Sequence, residues 1–221
     1  MTELSIDTAS EMASVALSRE GKLVAEVTWL CRRNHTVELL PTIDRLLAHM
    51  NVVKADITAV FVCIGPGMYT GLRVGVTIAK GLAHALGVPL VGVPRLELDA
   101  YPHAAFDGDI VAVHNAARGE LAWATYRGNP RREVTAPQLS KPAMLAGAIS
   151  ERTLLVGEID EQLNSHLGAL AIVASPAASI RHAAALAELG HARLAAGQTD
   201  EPALLKPIYL RPPAIGPQPT E

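Results

Sequence analysis

Apolar positions in the first hundred residues fall in short alternating runs and then in helical periods. Residues 4–9, 13–18 and 22–30 read as three strands, with Arg19-Glu20-Gly21 as the turn between the last two. Val37, Leu40, Ile43, Leu46, Leu47 and Met50 then recur at the spacing of one helix face, which predicts a helix over 36–50 with those side chains inward. Residues 59–64 are all apolar and are closed by Gly65-Pro66-Gly67, the pattern of a strand buried on both faces. Thr70 is placed to cap a helix over 71–86, and Gly87 to end it. A strand over 89–93 and a helix over 95–105 complete the order β-β-β-α-β-α-β-α.

Asp107-Gly108-Asp109 marks a boundary. Beyond it, 110–114, 121–127, 132–135, 153–156 and 170–173 read as strands, and 141–151, 161–167 and 179–196 as helices. The proline-punctuated stretch 201–213 reads as extended chain. Three antiparallel strands followed by alternating helices and parallel strands is the layout of a ribonuclease-H-like domain, the repeating half of the actin-like ATPases. The expected fold class is α/β, with a first subdomain over 1–106, a reduced second over 107–213 and a flexible tail over 214–221.

The helix over 71–86 has an unusual surface. Its polar residues Arg73, Thr77, Lys80 and His84 fall on one stripe. Gly71, Gly75, Ala79 and Ala83 form a ridge with no side chain larger than a methyl, where a second backbone can come close. Glycine costs a helix about 1 kcal/mol relative to alanine, so the ridge needs a compensating contact. Two readings stand: a central helix packed within its own domain, or a docking face for another protein.

Composition narrows the field. With 221 residues, 49% of them hydrophobic and only 4% aromatic, the core must be built from Ala, Val, Leu and Ile. A net charge of −3 gives no general attraction to nucleic acid or an anionic membrane. Cys31 and Cys63 sit in or beside apolar runs as core residues, not as a disulfide scaffold. Met1-Thr2-Glu3 leads straight into a strand, and Arg73, Lys80 and His84 interrupt the most apolar stretch; the expectation is a cytoplasmic chain with no signal peptide and no membrane span.

Candidate chemistry is sparse. Asp7, at the end of the first strand with Thr8 after it, either holds Mg²⁺ through water as an actin-like ATPase or sugar kinase would, or simply terminates the strand. Gly65 and Gly67, with Gly71, either cradle a phosphate at the helix start or form a structural turn; Pro66 removes one amide from such a cradle. His35 lacks a histidine one turn later, where Leu39 stands, so no metal site is expected. No G-x-S-x-G elbow occurs. Arg118, Arg127, Arg131 and Arg132 near Trp123 and Tyr126 read either as an RNA-stacking patch or as a solvated hairpin edge.

Ile6-Asp7-Thr8-Ala9, His35 with Leu39-Leu40-Pro41, the run from Gly65 to Val76, Ala79-Lys80-Gly81-Leu82-Ala83 and the terminal Pro207-Ile208-Tyr209-Leu210-Arg211 together resemble the TsaB (YeaZ) family. That resemblance implies an actin-like fold and a non-catalytic scaffold subunit in forming threonylcarbamoyladenosine on tRNA, next to the anticodon. It implies that the chain binds and stabilises the catalytic subunit TsaD, helps recruit the ATPase TsaE, self-associates as a homodimer in isolation, and meets tRNA only through the complex. The implied four-helix contact takes His35, Leu39, Leu40, Ile43 and Leu47 from one helix and Gly71, Leu72, Gly75, Val76, Ala79 and Ala83 from the next. It implies no metal and no cofactor of its own, with ATP or ADP placed at the partner interface. A metal-dependent glycoprotease, a rival within the wider family, would need an H-x-x-x-H motif whose second position is Leu39 here. The family pattern Asp-Ala-Arg-x-Gly-Glu has Asn115 in place of its Asp and Ala117 in place of its Arg.

Overall fold

The computed structural model describes residues 2–128, 132–150, 152–167 and 169–210. Arg131, Glu151, Arg211 and the tail over 214–221, each part of an expectation above, lie outside the described residues.

Two five-stranded sheets repeat one topology. The first contains β1 (Thr2–Asp7), β2 (Met12–Arg19), β3 (Lys22–Leu30), β4 (Ile57–Cys63) and β5 (Leu90–Val93), in the order β3-β2-β1-β4-β5. β2 runs antiparallel to β1 and β3, while β1, β4 and β5 run parallel. Parallel pairs need crossovers, which α1 (His35–His49) and α2 (Tyr69–Leu86) supply. The second contains β6 (Asp109–Asn115), β7 (Leu121–Arg127), β8 (Arg132–Ser140), β9 (Thr153–Gly157) and β10 (Ile172–Val173), in the order β10-β9-β6-β7-β8. This is the expected actin-like fold.

Alternation along the strands sorts the first sheet into two faces. Leu4, Ile6, Val60 and Val62 meet Leu39, Ile43, Leu47, Val76 and Ala79 of α1 and α2. Ala59, Phe61 and Cys63 face the opposite way, toward Leu186 of α6 (Ala183–Ala195). The expected helix over 179–196 therefore starts later, at Ala183.

The strands of the first sheet end at Val93 and those of the second begin at Asp109, but the helices cross between the sheets. α3 (Arg95–Ala100) packs its Leu96 and Ala100 against Ile110, Ala112 and Val156 of the second sheet. α6, from the second half, lies across the first sheet, and a strap over 200–208 follows it there. Asp200 N donates to Leu90 O at 2.8 Å, Leu205 is buried, and Ile208 N donates to Ile64 O at 2.7 Å. Several expected boundaries also move. The helix over 95–105 is α3 followed by a 3-10 turn at Tyr101–His103, where Pro102 supplies no amide. The helix over 141–151 is only α4 (Pro142–Ala146), and α5 (Glu161–Leu167) stands as expected.

α1 is rolled relative to its expected face. Its buried residues are His35, Leu39, Thr42, Ile43, Leu46 and Leu47, which leaves Val37 71% and Leu40 45% exposed. α2 starts two residues early, with Met68 rather than Thr70 at its N-cap and no side-chain cap; Gly87 ends it at φ 66°, as expected.

Candidate functional site

Two places on the molecule gather the residues singled out in the sequence: the packed pair α1 and α2, and the junction between the sheets.

At the first, the small-residue ridge has a partner within the chain. Gly71 and Gly75 lie against Thr8, whose Oγ1 donates to Gly71 O at 2.8 Å; a Cβ on Gly75 would overlap that hydroxyl. Ala79 and Ala83 belong to the core over β1 and β4. The second backbone that the ridge admits is therefore this chain's own β1–β2 turn. His35, Leu39, Ile43, Leu47, Leu72 and Val76 are likewise buried, and of the positions implied by the resemblance Leu40 alone is exposed. His35 donates through Nε2 to Ser10 O at 3.0 Å, since a carbonyl can only accept. What the two helices present outward is different: Val37 and Leu40 from α1, and a groove of about 320 Å³ lined by Thr36, Arg73, Val74, Thr77 and Ile78. The polar stripe reaches solvent as expected at Arg73, Thr77 and His84, while Lys80 Nζ donates to Leu205 O at 3.1 Å and fastens the strap.

At the second place, a cleft of about 600 Å³ opens between the sheets, lined among others by Ser10, Gly67, Tyr69, His114, Glu158 and Tyr209. Asp7 and Thr8 lie beneath it, but their oxygens are already taken. Asp7 Oδ1 accepts from Ala9 N at 2.8 Å, and Asp7 Oδ2 accepts from Arg181 Nε at 2.7 Å. Burial alone would raise the Asp7 pKa; the Arg181 charge and these hydrogen bonds outweigh it and hold the carboxyl below its ordinary 3.8. The glycine turn is committed as well: Met68 N donates to Ala9 O at 2.8 Å, Gly65 O accepts from Arg95 N at 2.8 Å, and a Cβ on Gly67 would run into Ala9 O. Asp7, Thr8, Gly65 and Gly67 thus form a turn-to-turn packing contact rather than an open cradle of amides and a free carboxylate.

From Asp7 a chain of buried ions runs to the second sheet. Arg181 Nη1 donates to Asp99 Oδ1 at 3.3 Å, and Arg95 Nε lies 3.4 Å from Asp99 Oδ2. Arg95, 0% exposed, donates through Nη2 to Glu158 Oε1 at 2.5 Å, and His114 Nδ1 lies 2.7 Å from Glu158 Oε2. Burial would raise the Glu158 pKa, but Arg95 and His114 drive it far below the usual carboxylate range. Burial and Arg95 together lower the His114 pKa, so its ring is neutral near pH 7. Asp7 was the one member singled out from the sequence; Arg95 and Asp99 stand four apart on α3, a spacing that pairs side chains on one helix face, whereas Glu158 and Arg181 carry no local signal, since Arg181 meets Asp7 from 174 positions away.

The remaining candidates resolve simply. Trp123 and Tyr126 are each 4% exposed, so neither offers a ring for stacking RNA, and Arg127 pairs with Asp109 at 2.6 Å. Asn115, in place of the family's Asp, uses its Oδ1 to accept from Ala117 N at 3.0 Å and so shapes the β6–β7 turn, which leaves Arg118 exposed. Among the described residues no group of three or more His, Cys, Asp or Glu is placed to hold a metal ion, and no helix is long and apolar enough to cross a membrane.

Known proteins match this arrangement. The family model described as TsaD: tRNA N6-adenosine threonylcarbamoyltransferase matches residues 27–196. The tRNA threonylcarbamoyladenosine biosynthesis protein TsaB of Bacillus subtilis is 38% identical over 127 residues, 58% of this chain and 56% of that protein. Its Escherichia coli namesake is 38% identical over 129 residues, covering 58% and 55%. The matched stretch is thus little more than half the length of these curated relatives. The structure of YeaZ from Pseudomonas aeruginosa superposes with a TM-score of 0.80 at 25% identity, covering 94% of this chain and 100% of that one. An activator of 2-hydroxyisocaproyl-CoA dehydratase from Clostridium difficile, solved with bound ADPNP, shares the fold alone, with a TM-score of 0.52 at 9% identity over 90% of this chain and 97% of that one.

Proposed function

The chain belongs to the TsaD family of tRNA N6-adenosine threonylcarbamoyltransferases, among its TsaB (YeaZ) members, and on that premise we propose that it is a non-catalytic scaffold subunit for threonylcarbamoyladenosine formation on tRNA. It docks TsaD, the catalytic subunit, through the outer face of α1 and α2, self-associates by the same face when alone, helps recruit TsaE, and meets tRNA through the complex. The observation that carries this reading is an apolar face left uncovered on paired helices whose inner faces are fully packed: Val37 and Leu40 beside the groove at Val74 and Ile78. Of the implied interface residues Leu40 takes part directly, and the others from beneath, by fixing the two helices to the sheet. The committed oxygens of Asp7 and the committed amide of Met68 favour a chain that turns over no nucleotide by itself. ATP or ADP in the assembly then belongs to the contact with the partner.

The test is co-purification with the TsaD subunit from the same cell, with the mass of the complex determined. Val37→Glu and Leu40→Glu place an unpaired charge on the outer face at two side chains exposed to solvent; each is expected to weaken the complex by about tenfold or more while the unfolding midpoint stays unchanged. A folded Val37→Glu/Leu40→Glu chain that binds TsaD as well as the parent refutes the assignment of that face.

A further inference from the structure

The junction between the sheets already holds a cation, and the chain provides it. Arg181 lies in the segment that returns from the second sheet to α6, and each of its three guanidinium nitrogens reaches a different acceptor. Nε donates to Asp7 Oδ2 at 2.7 Å, Nη1 to Asp99 Oδ1 at 3.3 Å, and Nη2 to Ser10 Oγ at 2.9 Å. The acceptors come from both sides of the junction: Asp7 ends β1 in the first sheet, while Asp99 sits on α3, which packs on the second. Asp7 is 2% exposed and Asp99 5%, and Ser10 lines the interlobe cleft. Asp99 Oδ2 accepts no hydrogen bond, so its carboxylate depends on the charges of Arg181 and Arg95.

We propose that Asp7, Asp99 and Ser10 form a guanidinium-binding site that joins the two lobes, with Arg181 as its built-in ligand. The acceptor set is too poor for a hard divalent ion, which takes about six oxygens in near-regular geometry. Asp7 Oδ1 is committed to Ala9 N, and what converges is one oxygen from each of three side chains, spread as the planar fork of a guanidinium requires. Arg181 thereby does at this junction what a bound cation would otherwise have to do: it neutralises two carboxylates contributed by different lobes and holds them together. The lobes are fastened by the chain itself, with no call on an external ligand. This inference concerns the fold of the isolated chain and stands or falls separately from the docking face.

Removing the side chain empties the site. Arg181→Ala is expected to lower the thermal unfolding midpoint by roughly 10 °C, as loss of one partner from a buried ion pair does in a chain of this size. Millimolar guanidinium chloride, far below denaturing levels, is expected to restore a large part of that loss, whereas NaCl and MgCl₂ at equal ionic strength restore none. Arg181→Lys keeps the charge but loses the fork, and is expected to fall between the parent and Arg181→Ala. The proposal is overturned if Mg²⁺ restores Arg181→Ala as well as guanidinium does, if guanidinium has no effect on it, or if Arg181→Lys matches the parent in stability.

Discussion

Replacing Gly75 by alanine tests whether the small-residue ridge of α2 serves this chain or a partner. An alanine Cβ at that position would overlap Thr8 Oγ1, with Thr8 Cβ next at 3.3 Å and Thr8 Cγ2 at 3.5 Å. Relief requires moving Thr8, whose hydroxyl donates to Gly71 O at 2.8 Å, or lifting α2 off β1. Overpacking of this kind costs about 1–3 kcal/mol. Loss of the buried hydrogen bond adds about 1 kcal/mol, and the better helix propensity of alanine returns about 1 kcal/mol. The net destabilisation is about 1–3 kcal/mol, a fall of roughly 3–10 °C in the unfolding midpoint. In a Thr8→Ala background the obstructing hydroxyl and methyl are gone, so the same change at Gly75 is expected to be neutral or to stabilise by up to about 1 kcal/mol. Urea unfolding of the four proteins, parent, two singles and double, gives the coupling directly. Effects that add to within about 0.5 kcal/mol would refute the argument, because independent sites behave that way.

Further outcomes follow from the same contacts. Asp7 and His114 both have folded pKa values depressed below their ordinary 3.8 and 6.5, so each contributes stability that is complete above those values and is lost as pH falls through the folded value. Unfolding free energy is therefore expected to be flat above neutrality, to decline first below about pH 6.5 and again below about pH 4; His114→Asn should remove the upper limb, which pH-resolved urea titration reads. Burial pushes the Cys31 thiol up to about 11 and the Cys63 thiol higher still, so neither is expected to react with a thiol reagent in the native protein, and both should react in denaturant.

How much of this was legible beforehand differs between elements. Strand and helix order, the buried β4, the glycine C-cap at Gly87 and the repeated β-β-β-α-β-α-β-α pattern depend on neighbours a few residues apart, and local periodicity reports such neighbours faithfully. The motif around Gly65 to Val76 carried much of the resemblance to the family, and its small residues mark a close approach of two backbones. Periodicity was silent on which body fills the space beside them: the flat ridge is equally good for a partner or for Thr8, and folding chose Thr8. α1 shows the same limit in miniature, since burying the His35, Leu39 and Thr42 side turns Val37 and Leu40 outward although those two fit a helical period with Ile43 and Leu47.

Sequence by itself determined the order of the elements and the fold class, which are set by spacing along the chain, while the family entered through the resemblance of its motifs. Tertiary structure alone decided that Asp7 is neutralised by Arg181, that α6 and the strap return to the first sheet, and that Val37 and Leu40 of α1 stay exposed. The reason is one of range: a charge or a methyl group has its energy fixed by what stands within a few ångströms of it, and in this fold those neighbours come from as far as 188 residues away.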